Sequence, residues 1–448
     1  MDKLGRLEVE QLKVTSTTPP ADSGLYKIDE TTMGVVGDLK FRHPKTGAMS
    51  SALTASTSAQ GGVNSWDVPG FSVAGHIVFS SLTRLNGHLP ADGKTYPIDA
   101  YPALARRLGR ISNGLAAFSA RPTIDNNWAG VCWSPELGLF AAVSITGTGS
   151  RVMTSPDGIN WTARTSAADN NWRAICWSAK LGLFVAVGNS GTGNRVMTSP
   201  DGINWTLRAT PASDNQWYSV CWSPEMSLFV AVSITGTSNR VMTSPDGVSW
   251  TARTSAADNN WYSVCWSPEL SLFVAVSNSG TGNRVMTSPD GVTWTARTSV
   301  ADNSWTAVCW SPTLSLFVAV GNSGVGSRVM TSPDGITWTT RTCADYSWAS
   351  ICWSPELGIF SAVAGSGVGN RVMTSPDGIN WTLRTTPADN SWTSVCWSPE
   401  LSMFSAVAGS GTANRAMTAY GCNYNPVTDF SVPKITAPAG CYAHILAG

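Results

Sequence analysis

A block of about 44 residues recurs seven times within residues 114–421. Each copy opens on a tryptophan, and successive opening tryptophans lie 44, 45, 44, 44, 43 and 44 residues apart. They are Trp128, Trp172, Trp217, Trp261, Trp305, Trp348 and Trp392. Each copy holds short runs with strand-like alternation or apolar content, separated by turn residues. A tandem period of this length predicts an all-β fold, a β-propeller with seven blades.

The second copy illustrates the pattern. Residues 172–177 alternate small and large side chains, LFVAVG follows a turn, and a polar loop leads to RVMTS and INWTART. These runs predict four antiparallel strands per blade. In that geometry the loops between the second and third strands, and those between blades, lie on one face of the ring, which we call the loop face.

A Ser-Pro-Asp-Gly-x-x-Trp turn joins the third and fourth strands, and it resembles the Asp-box of sialidase-like propellers. We interpret its aspartate as structural, because Asp accepts hydrogen bonds from backbone amides just ahead of it while Gly takes a positive φ. One carboxylate per turn is too few for a calcium shell, so no metal is predicted. The six aspartates are Asp157, Asp201, Asp246, Asp290, Asp334 and Asp377.

The seventh copy lacks its fourth strand, since the pattern decays at residues 419–422. Residues 114–125, GLAAFSARPTID, align with the missing strand, and Phe118 stands near the position of the turn tryptophan. We therefore predict that a strand from the N-terminal side completes the last blade and closes the ring, which removes an exposed sheet edge.

Twenty of the 21 tryptophans and seven of the ten cysteines occupy recurring positions. The sequence predicts that these indoles pack in the core and that these cysteines are reduced core thiols. For the opening tryptophans, both a core role and a ligand-stacking role remain possible. The states of Cys343, Cys422 and Cys441 stay undecided. Recurring arginines at the start of each third strand are expected to bond loop carbonyls or aspartates, with anion binding as the alternative. The glutamates of the Ser-Pro-Glu turns are expected to be solvated.

Composition excludes several classes of function. Charged residues make up only 13% of the chain, the net charge is zero and no basic run occurs, so nucleic-acid binding is not expected. No run of 18 apolar residues and no apolar segment after the first basic residues occurs, so we expect a soluble product without a secretion signal or membrane insertion. All four histidines lie outside the repeats, so we expect no catalytic triad in the ring, no enzyme activity and no cofactor.

The flanks carry a resemblance. Residues 73–109 contain an apolar strand, an Asp-Gly turn and a predicted short helix ending at Leu108-Gly109. This segment resembles the phage tail-collar domain, through Asp92, Gly93, Tyr101, Pro102, Leu104 and Gly109. In that family the next element is a strand, and Asp429, Phe430, Val432 and Pro433 are similar to its sequence pattern.

The resemblance implies a collar-like domain split into residues 63–113 and 422–448, with the propeller of residues 114–421 inserted in it. Residues 1–62 are then a short β-rich segment for attachment to the virion, in which residues 51–62 are a small-residue linker. It also implies a phage virion fibre or spike of the tail, made in the host cytoplasm, carried on the tail or capsid surface, bound to other virion proteins and homotrimeric. Alternatives are a head-attached decoration fibre or structural collar component, and a polysaccharide-degrading spike.

The loop face is rich in Asn, Asp and Ser beside an aromatic residue, which is typical of sugar recognition. The residue after each opening tryptophan varies among the copies, which favours ligand selection over the alternative of unconstrained surface. We expect the loop face to bind a host-surface glycan or receptor. The candidate residues are Trp128, Trp172, Trp217, Trp261, Arg173, Tyr218, Tyr262, Asn171 and Asn260.

Overall fold

The computed structural model describes residues 115–211 and 214–421, together with eight strands in the flanks. The chain divides into two compact units, Ser112–Asn423, and Met1–Ile111 together with Tyr424–Gly448. The predicted short helix, Cys422, Cys441 and all tail-collar positions except Asp429 and Phe430 lie outside the described residues.

The first unit is a seven-bladed β-propeller, so the predicted fold class is confirmed. Each blade is a four-stranded antiparallel sheet whose strands we name A to D. The A strands are Trp128–Ser134, Trp172–Ser178, Trp217–Ser223, Trp261–Ser267, Trp305–Ser311, Trp348–Ser354 and Trp392–Ser398. The B strands are Leu139–Ser144, Leu183–Gly188, Leu228–Ser233, Leu272–Ser277, Leu316–Gly321, Ile359–Ala364 and Met403–Ala408. The C strands are Val152–Ser155, Val196–Ser199, Val241–Ser244, Val285–Ser288, Val329–Ser332, Val372–Ser375 and Ala416–Tyr420. The D strands of blades 1 to 6 are Thr162–Arg164, Thr206–Arg208, Thr251–Arg253, Thr295–Arg297, Thr339–Arg341 and Thr382–Arg384.

The hydrophobic core lies between blades. Val143 and Val152 of blade 1 pack against Trp172, Phe184 and Met197 of blade 2, and all five are completely buried. The same arrangement recurs at the other blade contacts. A ring of blades with seven such clusters replaces the single core of a compact domain, which explains why large aromatic residues recur in every copy.

The Asp-Gly turns fasten strand C to strand D. Asp201 Oδ1 accepts hydrogen bonds from the backbone N–H groups of Ile203 and Asn204, both at 2.8 Å. Gly202 has a φ of +73°, and a Cβ there would lie 3.0 Å from Leu139 of the preceding blade. The turn therefore requires glycine for both its conformation and its close contact. All six aspartates make the same pair of backbone bonds.

Ring closure occurs as predicted. Ser119–Arg121 is the D strand of blade 7 and pairs antiparallel with Ala416–Tyr420. Arg121 Nε donates to Thr418 Oγ1 at 2.7 Å, as the D-strand arginines of the other blades do to their own threonines. Phe118 is 5% exposed and packs in the blade 7 cluster. A strand from before the first blade thus completes the last one.

The second unit contains two sheets. Six strands pair in the order Leu39–Arg42, Met49–Ser56, Val63–Asp67, Ile77–Ser80, Tyr442–Leu446 and His88–Pro90. The remaining pair is Thr95–Pro97 with Asp429–Ser431. Strands from before and after the propeller therefore pair with each other.

The linker prediction for residues 51–62 is wrong in part, because Met49–Ser56 is a strand between two neighbours. Small residues can pair through their backbones in a sheet, but they lack the large apolar side chains by which a strand is recognised in a sequence. The division into a split collar-like domain and a separate N-terminal segment stays a prediction.

Candidate ligand-binding site at the channel mouth

The loop face is held together by an arginine and an aspartate in every blade. Arg151, at the start of strand C, donates through Nε to Gly147 O at 2.8 Å and lies 3.6 Å from Asp169 Oδ1. That Asp169 oxygen also accepts the Gly149 N–H at 2.7 Å. The other six arginines make equivalent pairs, including Arg415 with Asp125 across the closure. These arginines bond carbonyls and aspartates, as predicted, and are committed to loop structure.

The opening tryptophans are not a stacking platform. Trp128, Trp172 and Trp261 are 0% exposed and Trp217 is 1% exposed. The Trp172 indole N–H donates to the Ala168 carbonyl at 3.1 Å, so the ring is held inside the blade contact. A completely buried ring has no free face for a ligand. The prediction of these four tryptophans as ligand contacts is therefore wrong, because they serve the core between blades.

The residue after each opening tryptophan lines the mouth of the central channel. A cavity of about 330 Å³ opens there. A second cavity of about 260 Å³ is lined by residues from all seven blades and therefore lies on the ring axis. The mouth residues are Ala129, Arg173, Tyr218, Tyr262, Thr306, Ala349 and Thr393. The structure thus brings Arg173, Tyr218 and Tyr262 together, on neighbouring blades.

These three side chains form one stacked cluster. Arg173 Cζ lies 4.9 Å from the centre of the Tyr218 ring, a cation–π distance. The Tyr218 and Tyr262 ring centres are 4.8 Å apart with planes tilted by 54°. With the Asn189 amide oxygen turned toward Arg173, it accepts from Nε at 3.0 Å and from Nη2 at 3.1 Å. Burial, and then the neighbouring Tyr218, raise the pKa of the Tyr262 phenol.

The other wall of the mouth is made of small residues. The Thr306 hydroxyl lies between two carbonyl acceptors, with Oγ1 2.7 Å from Trp348 O and 3.1 Å from Val320 O. The Thr393 hydroxyl lies in the same way between the carbonyls of Trp128 and Val407. Their hydroxyls therefore link neighbouring blades, and the methyl-sized residues beside them leave the cavity open on this side.

The predicted asparagines Asn171 and Asn260 are half-buried beside the mouth. The Oδ1 atom of Asn171 accepts from Arg151 Nη1 at 2.9 Å, and that of Asn260 accepts from Arg240 Nη1 at 3.0 Å. Their side-chain oxygens are thus already used by the loop arginines. The two residues support the loop face, and neither is among the residues that line the cavity.

On the opposite face, the glutamates of the Ser-Pro-Glu turns are exposed, as predicted, but each also accepts a hydrogen bond that the sequence analysis did not predict. Glu136 Oε2 accepts from the indole Nε1 of Trp177 in the next blade at 2.6 Å. Glu225, Glu269, Glu356 and Glu400 make the same bond to the tryptophan of the following blade. The recurrence of Glu in five copies together with Trp in all seven is the signal that indicates this bond.

The carboxylates of the described propeller residues are all engaged. The loop-face aspartates pair with arginines, the turn aspartates bond their own turns, and the glutamates bond indoles. In the part of the chain that the structure describes, no three His, Cys, Asp or Glu side chains come together as metal ligands would. None of the described segments forms a helix with the length and hydropathy that crossing a bilayer requires.

The recurring cysteines are free thiols, as predicted, and so is Cys343. They are half-buried, and each packs against the hydrophobic cluster of the following blade, as Cys132 does against blade 2. Burial raises the pKa of the Cys221 thiol well above its ordinary value. The ring cysteines therefore act as small apolar residues rather than as nucleophiles.

Solved structures resemble this chain in fold. A virginiamycin B lyase from Staphylococcus aureus has a TM-score of 0.56 at 9% identity, covering 67% of this chain and 97% of that chain. A streptogramin B lyase has a TM-score of 0.57 at 7% identity, covering 68% and 97%. The β-propeller domain of Myceliophteria thermophila Cps50 (Swd1) has a TM-score of 0.50 at 11% identity, covering 68% and 100%.

At these identities the likeness shows the β-propeller fold alone. A scan of the sequence against protein families finds no match, and a search of curated proteins finds none.

Proposed function

We propose that this protein is a phage virion fibre or spike of the tail that binds a host-surface glycan or receptor through the channel mouth of its propeller. The observation that carries the binding role is the channel mouth itself. A nearly uniform ring differs from blade to blade at a position that lines an open cavity, and three large polar or aromatic side chains cluster there. Small-ligand sites combine a concave surface with a few convergent polar groups in this way.

The virion role rests on the tail-collar resemblance of the flanks. The pairing of Tyr442–Leu446 with Ile77–Ser80 and His88–Pro90 supports it, since it joins segments on both sides of the ring into one sheet. Attachment through the N-terminal segment and a homotrimeric state follow from the same resemblance and belong to the proposal.

We infer binding without hydrolysis. Glycoside hydrolysis needs two carboxyl groups roughly 5 to 9.5 Å apart across the bound sugar. Of the described residues that line the two cavities, none is Asp or Glu. The carboxylates elsewhere in the described ring are bonded within loops and turns or to indoles.

Two measurements test the proposal. Immunogold labelling of intact virions is expected to place the protein at the tail. Labelling at the capsid would replace this proposal with a head-attached fibre, and absence from virions would contradict both.

In the second measurement, labelled full-length protein is expected to adsorb to host cells and to block phage adsorption. Loss of a polysaccharide layer without stable adsorption would instead indicate a degrading spike.

A further inference from the structure

The channel mouth is asymmetric in the size of the side chains that line it. Around the ring, three large residues follow one another from Arg173 to Tyr262, and four small ones complete the circle from Thr306 through Ala349 and Thr393 to Ala129. The cavity of about 330 Å³ extends over the small half and reaches the large residues at its border. This volume lies within the range of about 300 to 1,000 Å³ that is typical of small-ligand pockets.

Arg173 is a cation without a carboxylate partner at this border. Of the described residues that line either cavity, it is the only charged one. The arginines that start each strand C have an aspartate within 3.7 Å, whereas Arg173 contacts the Tyr218 ring and Asn189. A guanidinium carries five N–H donors, and the two contacts to Asn189 leave the others available for an anion.

Tyr262 offers an aromatic surface at the same border. Tyr218 covers one side of it, and its neighbour on the other side is Thr306, a small residue whose hydroxyl is bonded to carbonyls. Tyr262 therefore lines the cavity where the large residues of the mouth meet the small ones. Asn322, Ser347 and Ser391 line the same cavity with amide and hydroxyl groups. An apolar sugar face stacking on Tyr262 would thus have hydrogen-bond partners around it.

We propose that this mouth binds an acidic saccharide, a sugar chain that carries a carboxylate. The carboxylate bonds Arg173 and a pyranose face packs on Tyr262. The successive distances of 4.9 Å and 4.8 Å place Arg173 Cζ less than about 10 Å from the Tyr262 ring centre, a span that one or two sugar units cover. This inference deepens the proposed function, on which it rests, by naming the class of glycan.

The experiment measures binding of full-length protein by calorimetry to glucuronate-containing oligosaccharides and to the same oligosaccharides after chemical reduction of the carboxyl groups. We expect the acidic ligand to bind more tightly, and Arg173→Gln to weaken its binding about tenfold or more through loss of a charge-assisted hydrogen bond. Arg173→Lys retains the positive charge but lacks the planar guanidinium, so its affinity for the acidic ligand is expected to lie between those of the wild type and Arg173→Gln. Tyr262→Ala is expected to weaken both ligands.

Lys180→Gln is the matched control, because it removes a cation from a turn between strands A and B on the opposite face. It should leave the affinity unchanged, and unchanged thermal unfolding of the Arg173 variants would exclude a folding defect. Equal affinity for acidic and reduced ligands, no binding of either, or unchanged affinity in Arg173→Gln would each overturn the inference.

Adsorption of the same variants to host cells separates this inference from the proposed function. Adsorption that persists in Arg173→Gln and is not inhibited by the acidic oligosaccharide overturns the acidic-saccharide site and leaves the receptor role standing. Arg173-dependent binding of the oligosaccharide without any adsorption to cells supports the site and overturns the receptor role.

Discussion

At the scale of single residues, the turn aspartates show how one carboxylate can set a local structure. Burial alone would raise the pKa of Asp201, but hydrogen bonds from Asn204, Ile203 and Ser199 outweigh it and lower the pKa to about 2. Asp377 has the same environment and a pKa of about 2. The ionised form is therefore the one that the folded turn favours.

This shift predicts how stability depends on pH. An aspartate with a depressed folded-state pKa contributes stability above its unfolded pKa of about 3.9, and the contribution is lost as pH falls toward the folded value. We expect Asp201→Asn to lower the melting temperature at pH 7 and the difference from wild type to vanish as the pH approaches about 2. Thermal unfolding followed by circular dichroism between pH 7 and pH 2 measures it. A difference that stays constant over that range would contradict the assigned charge.

The sequence predicts residue roles well where a residue recurs in every copy and poorly where its partner lies in another blade. The turn aspartates bond within three positions of themselves, so their role is visible in one copy. Glu136 bonds Trp177, 41 positions away, and nothing near Glu136 indicates that contact. The predicted ligand contacts of the opening tryptophans are wrong for the same reason. Their burial between blades cannot be recognised from the sequence of one strand.

At the scale of the element, the glutamate-to-indole bonds join successive blades on one face. Two blades lack the glutamate, with Lys180 in blade 2 and Thr313 in blade 5 at the equivalent position. The tryptophans that follow them are Trp222 and Trp353, and both have a buried indole nitrogen without a hydrogen-bond partner. The agreement between missing acceptor and unpaired donor supports a structural role for these glutamates.

Thr313→Glu is therefore expected to stabilise the protein. It supplies an acceptor for the Trp353 indole, and a hydrogen bond of this kind contributes about 1 kcal/mol. Denaturant unfolding of the single variant, of Trp353→Phe and of the double variant forms a cycle that isolates the bond. The gain should be absent when Trp353 is already replaced by Phe. An equal gain in both backgrounds would mean that the introduced carboxylate acts without the indole.

At the scale of the whole molecule, ring closure by Ser119–Arg121 makes the stability of blade 7 depend on residues that precede blade 1. The repeats predict this fully, since the missing strand and its replacement can both be aligned. The flanks are less predictable, because the strand Met49–Ser56 has the composition of a linker and reveals itself only by pairing. The asymmetry of the channel mouth can be predicted from the sequence, because the residue after each opening tryptophan varies among the copies. The cavity at the mouth cannot be predicted in this way.

Phe118→Ala tests the closure. The side chain is 5% exposed, and truncation of a buried phenylalanine costs about 3 to 5 kcal/mol. Ile124→Ala is the control, since Ile124 is 41% exposed just after the closing strand and its truncation should change stability by less than about 0.5 kcal/mol. Chemical denaturation of both variants gives the comparison. Equal, small effects would mean that the ring closes without this strand.

We propose that the ring recognises its ligand where the copies differ, at the channel mouth. A crystal structure of the full-length protein with a host-derived acidic oligosaccharide tests it most directly. We predict sugar density in the mouth, with a carboxylate on Arg173 and a pyranose face on Tyr262. Density on the outer loops or on the face of the Asp-Gly turns, with an empty mouth, would contradict the account.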